Sequence, residues 1–341
     1  MARLVIRGGK KIGGTFRPLG NKNAALPMLA ACVLTDDPVF LDNVPNILDV
    51  DNMLKLLSDL GVAVSRKGHS VELCAKGIRK TELDRDLCAK VRGSILLAGP
   101  LPARHGRATL YAPGGDVIGR RRLDTHFEGL DRLGIGMAWK GDAFHLRRKR
   151  ALRGAELLLD EASVTATENV LMAATLARGR TTILNAACEP HVQDLGGLLN
   201  EMGAKISGLG TNRIEIEGVE KLGGARRRVG PDYVEIGSFI AAAAATGGAL
   251  TVAEPPDATT LQVMRRAFGR LGVEWKIRGG QLHVPARQDL RVRKDLGGAI
   301  PKMEDGIWPA IPSDLLSVAL VLATQARGEV LFFEKLFESR M

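Results

Sequence analysis

The stretch YAPGGDVIGRRRLDTH, residues 111–126, concentrates side chains that could do chemistry. A single carboxylate, Asp116, follows two glycines and precedes the three consecutive arginines 120–122. A carboxylate can transfer protons, arginines bind anions, and glycines let the backbone bend. Because aspartate after glycine is also a common turn former, the chemistry of this segment depends on the elements that surround it.

Composition limits the kind of protein that carries this segment. The chain has 341 residues, 45% of them hydrophobic and 25% charged, which suits two globular domains. Its net charge of +10 favours an anionic partner. We find no recognition-helix pattern, zinc finger or aromatic-rich basic strand, so a small phosphate-bearing ligand is favoured over nucleic acid.

Cysteine usage and hydropathy indicate the compartment. The four cysteines show no metal-ligand spacing, which fits a reducing, cytoplasmic setting and predicts no metal site. The N-terminus lacks a signal-peptide pattern, and no apolar run reaches membrane length. We therefore expect a cytoplasmic protein without a membrane partner.

An internal repeat is the most informative feature of the chain. A short strand, a polar link, an amphipathic helix, a closing glycine and two alternating strands recur at intervals of about 70 residues. The closing glycines, in the position of a left-handed helix cap, are Gly61, Gly134, Gly203 and Gly272. A second helix, apolar nearly all round, precedes each unit and should be buried. The pattern predicts an inside-out α/β barrel built from βαβαββ repeats.

The fifth repeat is incomplete. Gly328 corresponds to Gly179 and Gly248, so the amphipathic helix and hairpin of the fifth repeat would lie beyond Met341. We expect a C-terminal truncation that exposes a strand edge, with a natural early terminus as the alternative.

Several motifs resemble the UDP-N-acetylglucosamine 1-carboxyvinyltransferases, and the resemblance covers the chain in order. The motifs are GNKNAALP (20–27), PGGDVIGRRRLDTH (113–126), TATENVLMAATLARG (165–179), LGTNRIEIEGV (209–219) and FESRM (337–341). The family implies two domains of three βαβαββ units each. We expect residues 1–21 with 231–341 to form the first domain and 22–230 the second, which carries the loop 111–126.

The resemblance implies that phosphoenolpyruvate and UDP-N-acetylglucosamine are the substrates, and that no metal or organic cofactor takes part. The enolpyruvyl group passes to the sugar 3′-hydroxyl by addition and elimination, and phosphate leaves. Asp116 occupies the position where the family usually has cysteine, as a general acid on a glycine-hinged mobile lid. Because Asp116 lacks the thiol that fosfomycin alkylates, we predict fosfomycin resistance.

Other site residues follow from the same resemblance. Lys22 and Asn23 match a phosphoenolpyruvate-contacting pair, with Lys22 also catalytic, and Arg92 matches a substrate-binding arginine near the uridine diphosphate. The nucleotide-binding segment corresponds to Arg121, Arg122, Leu123, Asp124 and Thr125, followed by His126, which either contacts the pyruvyl part or packs. Arg122 stands where the family has proline.

The remaining matches lie around two later helices. Ser163, Val164 and Thr165 match the segment that wraps the uracil and diphosphate, although Glu161 replaces a frequent lysine. Asp314 matches the residue that bonds the 3′-hydroxyl and is the candidate base, with a helix N-cap as its structural alternative. Leu336 matches a sugar-pocket position and Arg340 a phosphoenolpyruvate-binding arginine.

Three other functions stay open at this point. The related 3-phosphoshikimate 1-carboxyvinyltransferase is the closest enzyme alternative, and the 113–126 loop argues against it. A catalytically inactive UDP-sugar-binding fragment or regulator would keep the binding residues without turnover. A basic RNA-binding protein would show steeply salt-dependent binding.

Overall fold

Small sheets and pairs of helices alternate along the chain, and the computed structural model describes residues 3–115, 118–119 and 121–341. The strands are β1 (Gly14–Phe16), β2 (Val39–Asp42), β3 (Ala63–Lys67), β4 (Ser70–Cys74), β5 (Arg107–Tyr111), β6 (Ile135–Lys140), β7 (Ala143–Arg148), β8 (Glu156–Leu158), β9 (Arg180–Leu184), β10 (Lys205–Ser207), β11 (Arg213–Glu217), β12 (Ala225–Arg228), β13 (Leu250–Val252), β14 (Lys276–Arg278), β15 (Gln281–Val284), β16 (Lys302–Glu304) and β17 (Leu331–Phe333). The helices are α1 (Lys22–Ala31), α2 (Leu48–Leu60), α3 (Arg85–Cys88), α4 (Pro100–His105), α5 (Asp124–Leu133), α6 (Val164–Ala174), α7 (Pro190–Glu201), α8 (Tyr233–Thr246), α9 (Ala258–Gly269) and α10 (Ser313–Ala323).

The chain divides into two compact units. The split unit combines Met1–Leu19 with Pro231–Met341, and the continuous unit is Gly20–Gly230. Gly20 and Asn21, which we assigned to the first domain, thus lie in the continuous unit. There the Asn21 backbone N–H donates to the Gly230 carbonyl at 2.8 Å.

The predicted repeat is visible in the strand order. The continuous unit contains sheets ordered β12-β2-β4-β3, β5-β7-β6 and β10-β11-β9-β8, and the split unit contains β1-β13-β15-β14 and the pair β16-β17. The pairs β3–β4, β6–β7, β10–β11 and β14–β15 are the antiparallel hairpins that follow the amphipathic helices. All four closing glycines have positive φ, between 87° and 107°, as helix-ending glycines do.

Helices lie inside each unit and the sheets lie outside them. Every residue from Ala24 to Ala31 in α1 and from Ala166 to Ala174 in α6 is buried. By contrast, β3 alternates exposed and half-buried residues. This is the inside-out α/β arrangement that the sequence predicted.

One expected buried helix is broken. The segment from Arg92 to Ala98 is a 3₁₀ turn, and the short helix α4 follows it from Pro100. Pro100 and Pro102 have no backbone N–H to donate to the preceding turn, so the α-helical hydrogen bonds are interrupted where α4 begins at Pro100. The prediction of a single helix here was wrong because it counted apolar residues and ignored the prolines.

Across the described residues, no helix is long and apolar enough to cross a bilayer. The same part of the chain holds no group of three or more His, Cys, Asp or Glu side chains placed to bind a metal ion.

Candidate active site

The loop that carries Asp116 is anchored at its base. The Gly114 N–H donates to the Cys88 carbonyl at 3.0 Å. A Cβ at Gly114 would lie 1.8 Å from the Ala89 carbonyl oxygen, so only glycine fits against the end of α3. Gly115 has a φ of +112°, which other residues rarely adopt. Asp116 itself lies outside the described residues.

Two arginines lie beside this anchored base. Arg92 donates from Nη2 to the Arg121 carbonyl at 2.9 Å. A Cβ at Gly115 would lie 2.9 Å from Arg92 Cβ and 3.7 Å from Arg121 Nη1. Burial, reinforced by the charge of Arg121, lowers the pKa of Arg92 to about 10. Arg92 therefore stays protonated at neutral pH with its charge incompletely solvated, and a bound anion would stabilise it.

The start of α1 contributes Lys22 and Asn23. The Asn21 side chain caps this helix by accepting the Asn23 N–H at 2.7 Å. Lys22 Nζ lies 3.2 Å from Asp49 Oδ2, and both side chains are part-exposed. Within the continuous unit, α1 also packs against the 3₁₀ turn that begins at Arg92.

Arg122 has two acidic partners. Its Nε donates to Asp124 Oδ2 at 3.0 Å, and its Nη1 lies 2.7 Å from Asp160 Oδ2. Hydrogen bonds to these carboxylates raise the pKa of Arg122. Its charge is therefore already matched within the protein, which limits what it can add to a phosphate site.

The first turn of α5 places Leu123 and Asp124 at the helix start and buries Thr125. Leu123 packs partly against the core, whereas Asp124 is exposed. Thr125 is 1% exposed, and its hydroxyl has no hydrogen-bond partner among the described residues. It lines a groove of about 630 Å³ between α5 and β8.

His126 is buried and bonded at both ring nitrogens. Nδ1 lies 2.9 Å from Asn169 Nδ2, and Nε2 lies 3.1 Å from Thr165 Oγ1. Burial, with a smaller contribution from the charge of Arg92, lowers the pKa of His126 to about 3. His126 is therefore neutral at physiological pH and supports Thr165, and it presents neither ring nitrogen to a ligand.

The N-terminus of α6 carries the next predicted contacts. Ser163 caps the helix, accepting the Ala166 N–H at 3.4 Å on its hydroxyl. The N–H groups of Val164 and Thr165, in the first turn, have no acceptor within the helix. Both residues are half-buried, whereas Glu161 is exposed. Such a helix start suits an anion.

The split unit carries the remaining predicted residues. Asp314 lies in the first turn of α10 and pairs with Arg340. Pro312 occupies the N-cap, so the structural alternative for Asp314 is wrong. The exposed Leu336 donates its backbone N–H to the buried Asp305 carboxylate at 3.3 Å.

The structure thus groups the predicted residues by unit. The continuous unit holds those from Lys22 to Thr165, and the split unit holds Asp314, Leu336 and Arg340. Sequence reasoning missed Asn169 and Asp305, which hold other site residues in place. Asn169 was visible in the TATEN motif, but nothing in the sequence identifies its partners.

Comparisons with known proteins cover nearly the whole chain. The EPSP synthase (3-phosphoshikimate 1-carboxyvinyltransferase) family matches residues 6–341. The UDP-N-acetylglucosamine 1-carboxyvinyltransferase of Treponema denticola is 51% identical over 344 residues, which cover 100% of this chain and 80% of the relative. Its counterpart in Borreliella burgdorferi is 49% identical over 341 residues, which cover 100% of this chain and 79% of the relative. The enolpyruvyl transferase NikO from Streptomyces tendae superposes with a TM-score of 0.83 at 22% identity, over 96% of this chain and 76% of its own, which shows a shared fold.

Proposed function

The chain belongs to the EPSP synthase family and, within it, to the UDP-N-acetylglucosamine 1-carboxyvinyltransferases, and we propose that it transfers the enolpyruvyl group of phosphoenolpyruvate to the 3′-hydroxyl of UDP-N-acetylglucosamine. Phosphate is the second product. The motif resemblance is confirmed by these relatives. The reaction would be the first committed step of peptidoglycan synthesis.

The proposed chemistry assigns one proton transfer to each aspartate. Asp314 takes the proton of the sugar 3′-hydroxyl while the 3′-oxygen bonds to the central carbon of phosphoenolpyruvate. Asp116 protonates the methylene carbon. Loss of a proton from that methyl carbon then restores the double bond and expels phosphate. Lys22, Asn23 and Arg340 hold phosphoenolpyruvate, while Arg92, residues 121–126 and residues 163–165 hold the UDP-sugar.

One observation carries the proposal beyond similarity. Gly115, the residue before Asp116, lies directly against Arg92 and Arg121. The residue that precedes the proposed acid therefore lies next to two half-buried arginines whose charge suits a diphosphate.

Phosphate release tests the function. The protein, incubated with phosphoenolpyruvate and UDP-N-acetylglucosamine, should release phosphate and give a product heavier by one enolpyruvyl group. Asp116→Asn should abolish release, whereas Asp142→Asn, in an exposed turn, should not. Binding of the UDP-sugar without phosphate release would favour the inactive regulator, and release with shikimate 3-phosphate would indicate the shikimate-pathway enzyme.

Cellular consequences follow from the same proposal. We propose that the enzyme acts in the cytoplasm, where both substrates are expected, and works without a metal or organic cofactor. Its product would support cell wall biogenesis, and through it cell shape, the cell cycle and cell division. Because Asp116 replaces a thiol, fosfomycin should not inactivate the enzyme.

A further inference from the structure

A buried relay of hydrogen bonds joins the 3₁₀ turn that begins at Arg92, and Gly99 after it, to α5 and α6. Its members are the backbone of Ile95 and Gly99 and the side chains of Asn169, His126 and Thr165. Asn169 is 0% exposed and His126 is 1% exposed. A polar cluster buried this deeply must be satisfied internally, so the role of each atom in it is determined.

Two backbone groups determine the orientation of the Asn169 amide. The Gly99 N–H, which can only donate, lies 2.6 Å from Asn169 Oδ1. The Ile95 carbonyl, which can only accept, lies 2.9 Å from Nδ2. A flipped amide would oppose two donors at one contact and two acceptors at the other.

The orientation of Asn169 sets the tautomer of His126. The second Nδ2 hydrogen of Asn169 points to His126 Nδ1 at 2.9 Å, so Nδ1 must accept. The ring is neutral, so its one proton lies on Nε2. That Nε2–H donates to Thr165 Oγ1 at 3.1 Å, which leaves the hydroxyl hydrogen of Thr165 to point elsewhere.

Close packing at Gly99 keeps this arrangement in place. A Cβ at Gly99 would lie 2.3 Å from the Asn169 backbone oxygen and 2.9 Å from Oδ1. No larger residue could therefore bring its N–H to Asn169. The glycine before Pro100 is explained by this contact.

We propose that Asn169 is a positioning residue that, through His126, makes the Thr165 hydroxyl a hydrogen-bond donor to a diphosphate oxygen of the bound ligand. A phosphate oxygen only accepts, so it needs a donor here. Thr165 lies in the first turn of α6, beside two backbone N–H groups that also lack an acceptor in the helix. This inference rests on the proposed function for the identity of the ligand.

Substitution at Asn169 should reverse the relay. Asn169→Asp places a carboxylate oxygen against His126 Nδ1, so the ring proton moves to Nδ1 and Nε2 becomes an acceptor. Thr165 would then donate to His126, and UDP-N-acetylglucosamine should bind about tenfold to a hundredfold more weakly. Asn200→Asp, at an exposed asparagine of α7, is the matched control and should leave the affinity unchanged.

Variants of Thr165 complete the test. Thr165→Val should lower the affinity for UDP-N-acetylglucosamine and for UDP by the same factor as Asn169→Asp. Its affinity for uridine, which has no diphosphate, should stay unchanged. Thr165→Ser should restore wild-type binding. In the double variant the two losses should not add, because both remove one hydrogen bond.

Nitrogen-15 NMR of His126 reads the relay directly in the wild-type protein, even where Asn169→Asp does not fold. Nε2 should be protonated and Nδ1 unprotonated, with no change between pH 6 and pH 8, because even pH 6 is about three units above the lowered pKa of the ring. A proton on Nδ1, or Thr165→Val binding UDP-N-acetylglucosamine like the wild type, would overturn the inference alone. Failure of the wild type to bind UDP-N-acetylglucosamine would instead overturn the proposed function.

Discussion

Replacing Gly114 by alanine tests whether the anchored loop base matters for the reaction. The added Cβ would lie 1.8 Å from the Ala89 carbonyl oxygen and 2.5 Å from its carbon. Both atoms belong to the backbone, so no side chain can rotate to make room. The conflict is steric alone, because the φ of Gly114 is not positive.

The size of the effect follows from two contributions. Displacement breaks the hydrogen bond from Gly114 to Cys88, worth about 1 kcal/mol. Overpacking costs about 1–3 kcal/mol more. If the loop must return to its anchored position for turnover, about 2–4 kcal/mol corresponds to a loss of about 30-fold to 1,000-fold in kcat/KM. The free energy of unfolding should fall by no more than this amount.

The rate of phosphate release at substrate concentrations well below KM gives kcat/KM. Denaturant unfolding of the same variant gives its free energy of unfolding. Gly223→Ala is the matched control, because a Cβ there would meet its nearest atoms at ordinary contact distances of 3.7 and 3.8 Å. It should leave kcat/KM and the free energy of unfolding nearly unchanged. A Gly114→Ala enzyme with kcat/KM within threefold of wild type would refute the claim that anchoring positions the acid.

Three further outcomes are expected. Arg92→Ala should weaken UDP-N-acetylglucosamine binding in calorimetry about tenfold to a hundredfold, because a charge-assisted hydrogen bond is lost, whereas Arg107→Ala on an exposed strand position should not. Mass spectrometry after fosfomycin treatment should find no adduct on the 111–126 peptide of the wild type and an adduct in Asp116→Cys; an adduct on the wild type would contradict the predicted resistance. Because burial and the charge of Arg92 lower the pKa of His126 to about 3, the unfolded chain alone takes up this proton as the pH falls below about 6.5, and stability falls by about 1.4 kcal/mol per unit. Buried Glu168, whose pKa is raised by burial, has the opposite effect on the pH dependence of stability. We therefore compare the two proteins: between pH 6.5 and 5, the free energy of unfolding from urea denaturation should fall less in His126→Gln than in the wild type. Parallel curves for the two proteins would contradict the prediction.

The repeat architecture could be predicted because it depends on local signals. The helical period of α2 and α9 and the alternation of the hairpin strands are properties of neighbouring residues. The backbone at the end of these helices takes a positive φ, and the glycines found there in the sequence indicate this conformation. These patterns can be identified in the sequence without knowing which elements pack against each other.

The contacts within the site could not be predicted because their partners are distant in sequence. Lys22 pairs with Asp49, and Arg122 pairs with Asp160. The sequence analysis predicted a catalytic and substrate-contacting role for Lys22 and a nucleotide-binding role for Arg122, but neither carboxylate partner. Asn169 meets Gly99 from 70 residues away. The 3₁₀ turn at Arg92 also depends on this packing, since the prolines break the helix but do not specify what replaces it.

These pairings bear on how an aspartate can act as the acid in a basic loop. A carboxyl group keeps its proton only where the surrounding field is not strongly positive, and each unmatched arginine nearby lowers its pKa. In the sequence, three arginines follow Asp116 with a single acid, Asp124, close behind. In the fold, Arg122 is matched by both Asp124 and Asp160, so one of those positive charges is largely cancelled. Arg92 and Arg121 lie beside Gly115, so a diphosphate bound there would offset the positive charge that otherwise works against a protonated acid at the next position of the chain.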